Sequence, residues 1–371
     1  MTDVHPWFSA DRLDLDALPL DAPWAARLDE LALSRGLPRC GVGLAPALRE
    51  VSEAYNAANF RLPWTKERLA ARLHFFLPRD QAKVGAALRD VPLDPSWREG
   101  TAPLRLVDVG AGLGASTLGA VRALRARGVT RPIEATLLDV DAAALAVAAE
   151  VLGVVPGVKV QVGAAPRGAE AAPAPDLVLF AQVLVELPSE AEAADRLRVA
   201  AAGLAPGGRV VVVEPALHGA TRRLMRIRDV VAGAAEIVAP CPHAGRCAML
   251  DQPRDWCHDD LDVDLPPWLH PLARAAGLRW QGLTFARLVL ANEPVARPPL
   301  RVVAPPRDTR GRKERQLCGT FPDGTTLRWV DRLDKRTTEA NAAFADLARG
   351  DGVLLEPVAA RVEAETLVVR G

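Results

Sequence analysis

The chain has 371 residues, enough for two domains or for one large domain with extensions. Hydrophobic residues at 49% and charged residues at 25% are ordinary for a soluble globular protein. A net charge of zero excludes a protein that grips polyanions by bulk charge, so any nucleic-acid surface must be local. No stretch approaches the roughly 18 consecutive apolar residues that mark a membrane helix. The acidic start MTDVHPWFSADRLD lacks a secretory pattern, and an odd count of five cysteines argues against disulfides. A bacterial cytoplasm is the expected compartment.

Residues 1–100 are expected to be helical. WAARLDELALSRG and PWTKERLAARLHFFL carry apolar residues at three- and four-residue spacing, and Pro63 sits near a helix start. DVPLDPSWREGTAP, proline-rich and ending near a glycine, reads as a linker. From Leu104 the pattern changes. LRLVDVG, EATLLDV, VKVQVG, DLVLFAQ and GRVVVVEP are β runs separated by helical ones such as DAAALAVAAEVLG. That alternation predicts an α/β fold, a doubly wound Rossmann-like sheet with helices on both faces. This domain is placed at 101–292, with a cysteine segment, 238–261, inserted after the fifth strand. WQGLTFARLVLANE reads as a closing hairpin or late strand pair. Residues 293–371, with short β runs and a Pro-Asp-Gly turn, form a small C-terminal β extension.

LVDVGAGLGAS carries the strongest nucleotide-binding signal. A strand ends at Asp108, and Gly110, Gly112 and Gly114 precede a helix, where the backbone must turn sharply and admit a ligand without a Cβ in the way. The second strand ends at Asp139, whose carboxylate can accept hydrogen bonds from both hydroxyls of a ribose. Asp141 reads as the N-cap of the next helix. Dinucleotides and S-adenosylmethionine both use this layout. The acid directly before the loop resembles the first motif of class I methyltransferases, which implies that Asp108 and the glycines border the methionine part and Asp139 holds the ribose. The segment VQVGAAPRG has no acid where many such enzymes contact adenine. After the fourth strand comes FAQVLVELP, neither Asn-Pro-Pro-aromatic nor a cysteine nucleophile, so Gln182 and Glu186 are the contact candidates and no catalytic group is assigned.

Three of the five cysteines lie within seventeen residues, as Cys241, Cys247 and Cys257. The spacing C-x5-C-x9-C, with Cys318 sixty-one residues on, is not the paired C-x2-4-C hooks of a zinc module, and by itself it leaves metal binding and plain burial equally open. Cys40 stands apart and reads as a buried or free thiol.

The words around these cysteines resemble the methyltransferase-like protein family of the mitochondrial small ribosomal subunit, with its bacterial relatives. That family shows a strand ending in Glu-Pro, an Arg-bearing helix, Ala-Pro-Cys-Pro-His, a second Cys and Trp-Cys-His. Here these are Glu214-Pro215, Arg222 to Arg228, Ala239 to His243, Cys247 and Trp256 to His258. Leu184 to Pro188, Arg301 to Pro306, Arg310 to Arg315, Cys318 and Pro322 to Gly324 also fit, so the resemblance covers about residues 50–335. Ala248 and Asp259 depart from the pattern, where the family has proline and an aromatic; that puts local packing in question.

The resemblance implies a class I methyltransferase fold binding S-adenosylmethionine through Asp108, Gly110, Gly112, Gly114, Asp139 and Gln182. It implies a metal site of Cys241, Cys247, Cys257 and Cys318, holding a [4Fe–4S] cluster, with structural zinc as the alternative. It also implies a small ribosomal subunit or its rRNA as partner, through Arg222, Arg223, Arg226, Arg310, Arg312, Lys313 and Arg315. On composition alone those runs are a solvated face balanced by Asp229, Asp308 and Glu314. The function expected is ribosome assembly with rRNA binding and, as an enzyme, rRNA methylation. The alternatives are a small-molecule methyltransferase stapled by zinc, and a non-catalytic RNA-binding relic.

Overall fold

The structure, a computed structural model, describes residues 13–57, 63–163 and 174–371. The chain start used in reading the compartment lies outside the described residues, as does most of the loop after the third strand. The first helices are α1 (Ala22–Ser34), α2 (Ala45–Asn56), α3 (Lys66–Ala71) and α4 (Leu77–Ala87). A single wide π turn, Arg72–Phe76, joins α3 to α4. The expected helicity holds, but these helices do not form a core of their own. Leu28, Leu48, Phe75 and Leu88 pack in one continuous cluster with Leu106, Leu137 and Leu179 of the sheet.

The five apolar runs become β1 (Leu104–Val109), β2 (Ile133–Leu138), β3 (Val158–Gly163), β4 (Leu177–Ala181) and β5 (Arg209–Glu214). All neighbouring pairs are parallel, in the order β3-β2-β1-β4-β5. Val210 to Val213 are all buried, as a central strand covered on both faces requires. The connecting helices are α5 (Ala115–Ala126), α6 (Ala142–Gly153) and α7 (Glu190–Ala202), followed after β5 by α8 (His218–Val231). Asp141 caps α6, its carboxylate accepting from the N–H groups of Ala143 and Ala144 at 3.0 Å each.

Helix α4 lies directly on α5. A Cβ at Gly119 would stand 2.1 Å from the Gln81 carbonyl oxygen, so this crossing needs glycine. Arg122 of α5 reaches back to the Leu18 carbonyl at 2.7 Å and to Gln81 at 3.0 Å. The stretch read as a linker is also packed: Val91 and Trp97 are buried, because Trp97 must find cover at the end of the helical layer.

After β5 the sheet continues through strands β6 (Glu236–Ala239), β7 (Asp259–Leu261) and β8 (Leu283–Ala291); a short helix, α9 (His270–Ala276), lies between β7 and β8. The expected late hairpin is instead one nine-residue strand, β8, antiparallel to both β5 and β6. An apolar run flanked on both sides gains more by spanning the sheet than by folding on itself. The order β3-β2-β1-β4-β5-β8-β6, with only β8 reversed within that path, is the class I methyltransferase, Rossmann-like arrangement. The cysteine segment is woven in at both ends: β6 and β7 pair with the same strand, β8.

The C-terminal residues form a second sheet, from β9 (Leu300–Val302), β10 (Arg307–Thr309), β11 (Arg312–Gly319), β12 (Leu327–Leu333), β13 (Gly352–Glu356), β14 (Arg361–Val362) and β15 (Leu367–Arg370). Its order is β14-β12-β11-β9-β13-β15, with β10 on β11, and Leu317, Phe321, Val330, Phe344 and Val353 are among its core residues. The expected Pro-Asp-Gly turn joins β11 to β12, where Asp323 accepts from the Thr325 N–H at 3.1 Å. Among the described residues no helix is long and apolar enough to cross a membrane.

Candidate functional site

A cavity of about 790 Å³ opens where β1, β2 and β4 end, the place at which open α/β sheets bind ligands. Its floor is the glycine loop. Gly110 and Gly112 have φ of 72° and 52°, and a Cβ on Gly110 would meet Val183 Cγ2 at 2.3 Å. Both conditions demand glycine. Asp139 stands at the rim. One carboxylate oxygen accepts from the Gly112 N–H at 2.7 Å and the other from the Asp141 N–H at 2.9 Å. The two oxygens are thereby fixed at the cavity wall, with lone pairs left for hydroxyl donors.

Asp108 and Gly114 do not line this cavity. Asp108 is fully buried beneath the loop and accepts from the Thr117 hydroxyl at 2.7 Å, the Thr117 N–H at 3.1 Å and the Ser116 hydroxyl. Burial pushes its carboxyl up to about 6, against the pull of those hydrogen bonds. It ties the loop to the first turn of α5. Gly114 lets α6 approach, since a Cβ there would stand 3.2 Å from Ala148 and Leu152. Gln182 does line the cavity, with φ of 60° that a non-glycine residue adopts at a cost. Its N–H donates to the Val213 carbonyl at 2.7 Å, and its side chain hydrogen-bonds Asp80.

Sequence reasoning missed the opposite wall. Tyr55, Arg72, Phe76 and Asp80 of the N-terminal helices, with Trp64 just before α3, close the cavity. No motif marks them; they meet the glycine loop only because α4 packs on α5.

Two acids stand at this end of the sheet, one on the cavity wall and one buried. Glu186 lines it, and burial, with Asp139 nearby, pushes its carboxyl up to about 7. At neutral pH it can therefore hold or release a proton at the wall. Glu214 is 1% exposed; it accepts from the Leu184 N–H at 2.8 Å while its second oxygen has no partner. Burial, then Glu186, pushes it up to about 8, with Arg223 opposing. The folded chain thus binds this proton more tightly than the unfolded chain, whose Glu titrates near ~4.3. That stability is full below the unfolded value and is lost as pH rises through about 8. Glu214→Gln is expected to be neutral at pH ~4.5 and stabilising by about 2–4 kcal/mol at pH ~8.5. Urea unfolding at the two pH values measures this, and parallel curves for variant and parent would refute it.

The second site is built at the sheet edge. Cys241 follows β6 and Cys257 precedes β7, so pairing of both strands with β8 brings together two thiols sixteen positions apart. Asp229 of α8 accepts from the Cys247 N–H at 3.1 Å, fixing the third. Cys318 arrives on β11, opposite Arg301 of β9. All four line one cavity of about 40 Å³, with Met225, Met249, Val303 and Leu327 as its apolar wall. Burial, then the neighbouring cysteines, pushes the Cys247 thiol up to about 12 and holds Cys318 well above the ordinary value; burial takes Cys257 to about 11. Arg228, Arg287 and Arg301 also line this cavity. The thiols oppose one another's ionisation, while the guanidinium groups of Arg301 and, at Cys257, Arg349 favour the thiolate. Among the described residues, however, no three His, Cys, Asp or Glu side chains converge tightly enough to hold a single metal ion. His243 Nε2 lies 3.4 Å from Cys318 Sγ, and His258 accepts from Arg349 at 2.7 Å, so both histidines sit beside the cysteines.

The helix read as basic is mostly the scaffold of this segment. Arg222 donates to the carbonyls of Gln252 and Asp255 at 2.7 Å each, and Arg223 to Leu187 at 2.6 Å. Arg228 donates to His243 and Gly245, and Arg226 pairs with Glu190. On the second run Arg312 pairs with Glu314 and Asp331, Lys313 with Asp308, and Arg315 is buried against Asp308. Arg310 is exposed, with no hydrogen bond or ion pair among the described residues.

The sequence profile of the family described as mitochondrial small ribosomal subunit Rsm22 matches residues 77–337, more than half of the chain. No curated protein sequence matches. Solved structures with a similar chain path include precorrin-6y C5,15-methyltransferase from Geobacter metallireducens GS-15, at 14% identity, 57% of this chain, 87% of that one and a TM-score of 0.34. The S-adenosylmethionine-dependent methyltransferase SibL in its apo form is 19% identical over 74% of this chain and 70% of its own, with a TM-score of 0.36. The ribosomal protein L11 methylase from Lactobacillus delbrueckii subsp. bulgaricus is 14% identical over 58% and 79%, with a TM-score of 0.31. Likenesses this distant leave the assignment of fold to the strand order itself.

Proposed function

The chain belongs to the mitochondrial small ribosomal subunit Rsm22 family, and on that premise we propose that it is an S-adenosylmethionine-binding, methyltransferase-like factor of the small ribosomal subunit, acting in a bacterial cytoplasm. The observation that carries the cofactor half is the cavity over the glycine loop with Asp139 fixed at its rim. S-adenosylmethionine would supply an electrophilic methyl group. The chain's own residues have simpler tasks: Gly110 and Gly112 admit the ligand to the backbone, Asp139 accepts from ribose hydroxyls, Gln182 borders the ligand, and Glu186 holds a proton at the wall. Asp108 and Gly114 act from beneath, shaping the loop.

The metal half of the proposal is a [4Fe–4S] cluster held by Cys241, Cys247, Cys257 and Cys318. A zinc ion needs all four sulfurs about 2.3 Å from one point. A cubane spreads its thiolates over four irons, and four cysteines lining one cavity are the donor set it takes, with structural zinc as the alternative. Such a cluster would supply the charge that draws four thiols into thiolates, and so would pin the C-terminal sheet to the first one.

Binding to rRNA would use exposed cations such as Arg310, with Arg226, Arg312 and Lys313 exchanging carboxylate partners for phosphate. The test is sedimentation of the chain with purified small ribosomal subunits over a salt series. Co-sedimentation that weakens as salt rises is expected; failure to co-sediment at low salt sinks the ribosomal reading and leaves a small-molecule methyltransferase. Asp139→Asn is expected to weaken S-adenosylmethionine binding about tenfold or more in calorimetry, since an amide accepts fewer hydroxyl donors.

A further inference from the structure

We propose that Arg72, propped on Trp64, is the clamp that receives the carboxylate of the amino-acid end of S-adenosylmethionine. The inference rests on the cofactor reading above and adds a residue outside every motif used for it.

Three described cations line the large cavity: Arg72, Arg196 and Arg223. Two are committed. Arg196 pairs with Glu192 at 2.7 Å, and Arg223 donates to the carbonyls of Leu187 and Val185. Arg72 makes no hydrogen bond or ion pair among the described residues. Its guanidinium instead lies over the Trp64 ring, 4.3 Å from the centroid. Stacking fixes the plane of the fork and leaves its edge free, the form in which guanidinium takes a carboxylate through two parallel hydrogen bonds.

The position is as specific as the chemistry. Arg72 Nη2 stands 3.2 Å from where a Cβ of Gly112 would be, so the fork hangs over the glycine loop. Asp139, bonded to the Gly112 N–H, would repel a carboxylate but accept hydroxyls. The loop is thus flanked by a hydroxyl acceptor, Asp139, and by a cation, Arg72, the two groups that a ligand with a ribose and an amino acid calls for. Tyr55 and Glu186 also feel the charge of Arg72, yet neither has an oxygen bonded to it.

The backbone makes a special arrangement for this side chain. Residues 72, 76, 80 and 84 all line the cavity. Spaced four apart on an α-helix of 3.6 residues per turn, they would drift round the axis by about 40° per step. The π turn Arg72–Phe76 widens the first step and keeps Arg72 on the cavity side, while Leu73 and Phe75 stay in the core.

The test is calorimetric titration with S-adenosylmethionine and with its decarboxylated form, which keeps the nucleoside, sulfonium and amine. Arg72→Gln is expected to weaken S-adenosylmethionine binding at least tenfold and to leave the decarboxylated ligand unchanged. Arg72→Lys should recover part of the loss. Trp64→Leu, a change at a half-exposed side chain, should give a smaller loss with the same selectivity; it stands in should Arg72→Gln fail to fold by circular dichroism. Equal losses for both ligands, or no loss for either, overturn the clamp while leaving the cofactor reading intact. A parent protein that binds neither ligand overturns both.

Discussion

On the cluster reading proposed above, Cys318→Ser is expected to abolish metal binding, although the other three cysteines remain. Cys241 and Cys257 flank strands that pair with β8, and Cys247 is held by Asp229 of α8, so these three are placed mainly by the first sheet and its covering helix. Cys318 belongs to β11 and is the thiol that the second sheet contributes. Protein purified without oxygen should carry about four irons and four sulfides per chain with a broad visible absorption, and the variant should be colourless. Because ligation and packing are coupled, hydrogen exchange in β9 and β11 should quicken in the variant. Cys40→Ser serves as control. Its thiol, pushed up to about 11 by burial, lies in the N-terminal helical layer, and its loss should leave the metal untouched. One zinc per chain and no colour would keep the staple and remove the cluster. A parent chain free of metal, or a Cys318→Ser chain that keeps its iron, would defeat the four-cysteine site.

Asp259→Ala should cost a large part of the chain's stability. Asp259 is 1% exposed and meets Arg89 and Arg301 at 2.7 Å and Arg287 at 3.2 Å. Burial alone would raise its carboxyl, but Arg301, then Arg89 and Arg287, hold it well below the usual carboxylate range. Arg89 follows α4, Arg287 is on β8 and Arg301 on β9, so one carboxylate joins the helical layer, the first sheet and the second. Removing it leaves three buried guanidinium groups facing one another, with Asp90 pairing Arg287 and Arg89 but not Arg301. Losing one partner of a buried ion pair costs about 3–5 kcal/mol, so the chain should unfold at much lower urea concentration. Asp259→Asn should be nearly as harmful, because the missing element is charge. Glu192→Ala, which breaks an exposed pair with Arg196, is expected to cost about 0.5 kcal/mol or less. An Asp259→Ala chain as stable as that control would show that the arginines find other partners. The sign with pH follows from the lowered carboxyl: the stability is present above the unfolded value near ~3.9 and is lost as pH falls below it.

Asp259 also shows where sequence reasoning stops. In the sequence it is a departure from an aromatic position, a hint of altered packing and nothing more. Its role depends on Arg89, Arg287 and Arg301, between 28 and 170 residues away. The arginines before the cysteines are a similar case. Their charge suggests phosphate, yet Arg222 and Arg228 are spent on the carbonyls of the very segment they precede. A loop without regular structure exposes carbonyls that must be paired when buried, and a guanidinium with five donors is the side chain that can pair several at once.

Local chemistry was determined by the sequence itself. The alternation of apolar strands and amphipathic helices specified the doubly wound sheet, because burial on two faces leaves a readable period. Gly110 and Gly112 were legible because a positive φ or a close approach leaves almost no alternative residue, and the Asp141 cap because its partners are two and three residues away. Tertiary structure decided everything that joins distant segments. It placed Asp108 beneath the loop, brought Arg72 over Gly112 with Trp64 under its guanidinium, ran β8 through the sheet as one strand, and brought Cys318 to the cavity lined by the other three thiols. Such contacts have no period and no fixed spacing. They follow from which helix packs on which, and that is settled by the summed burial of many side chains, none of which carries the instruction alone.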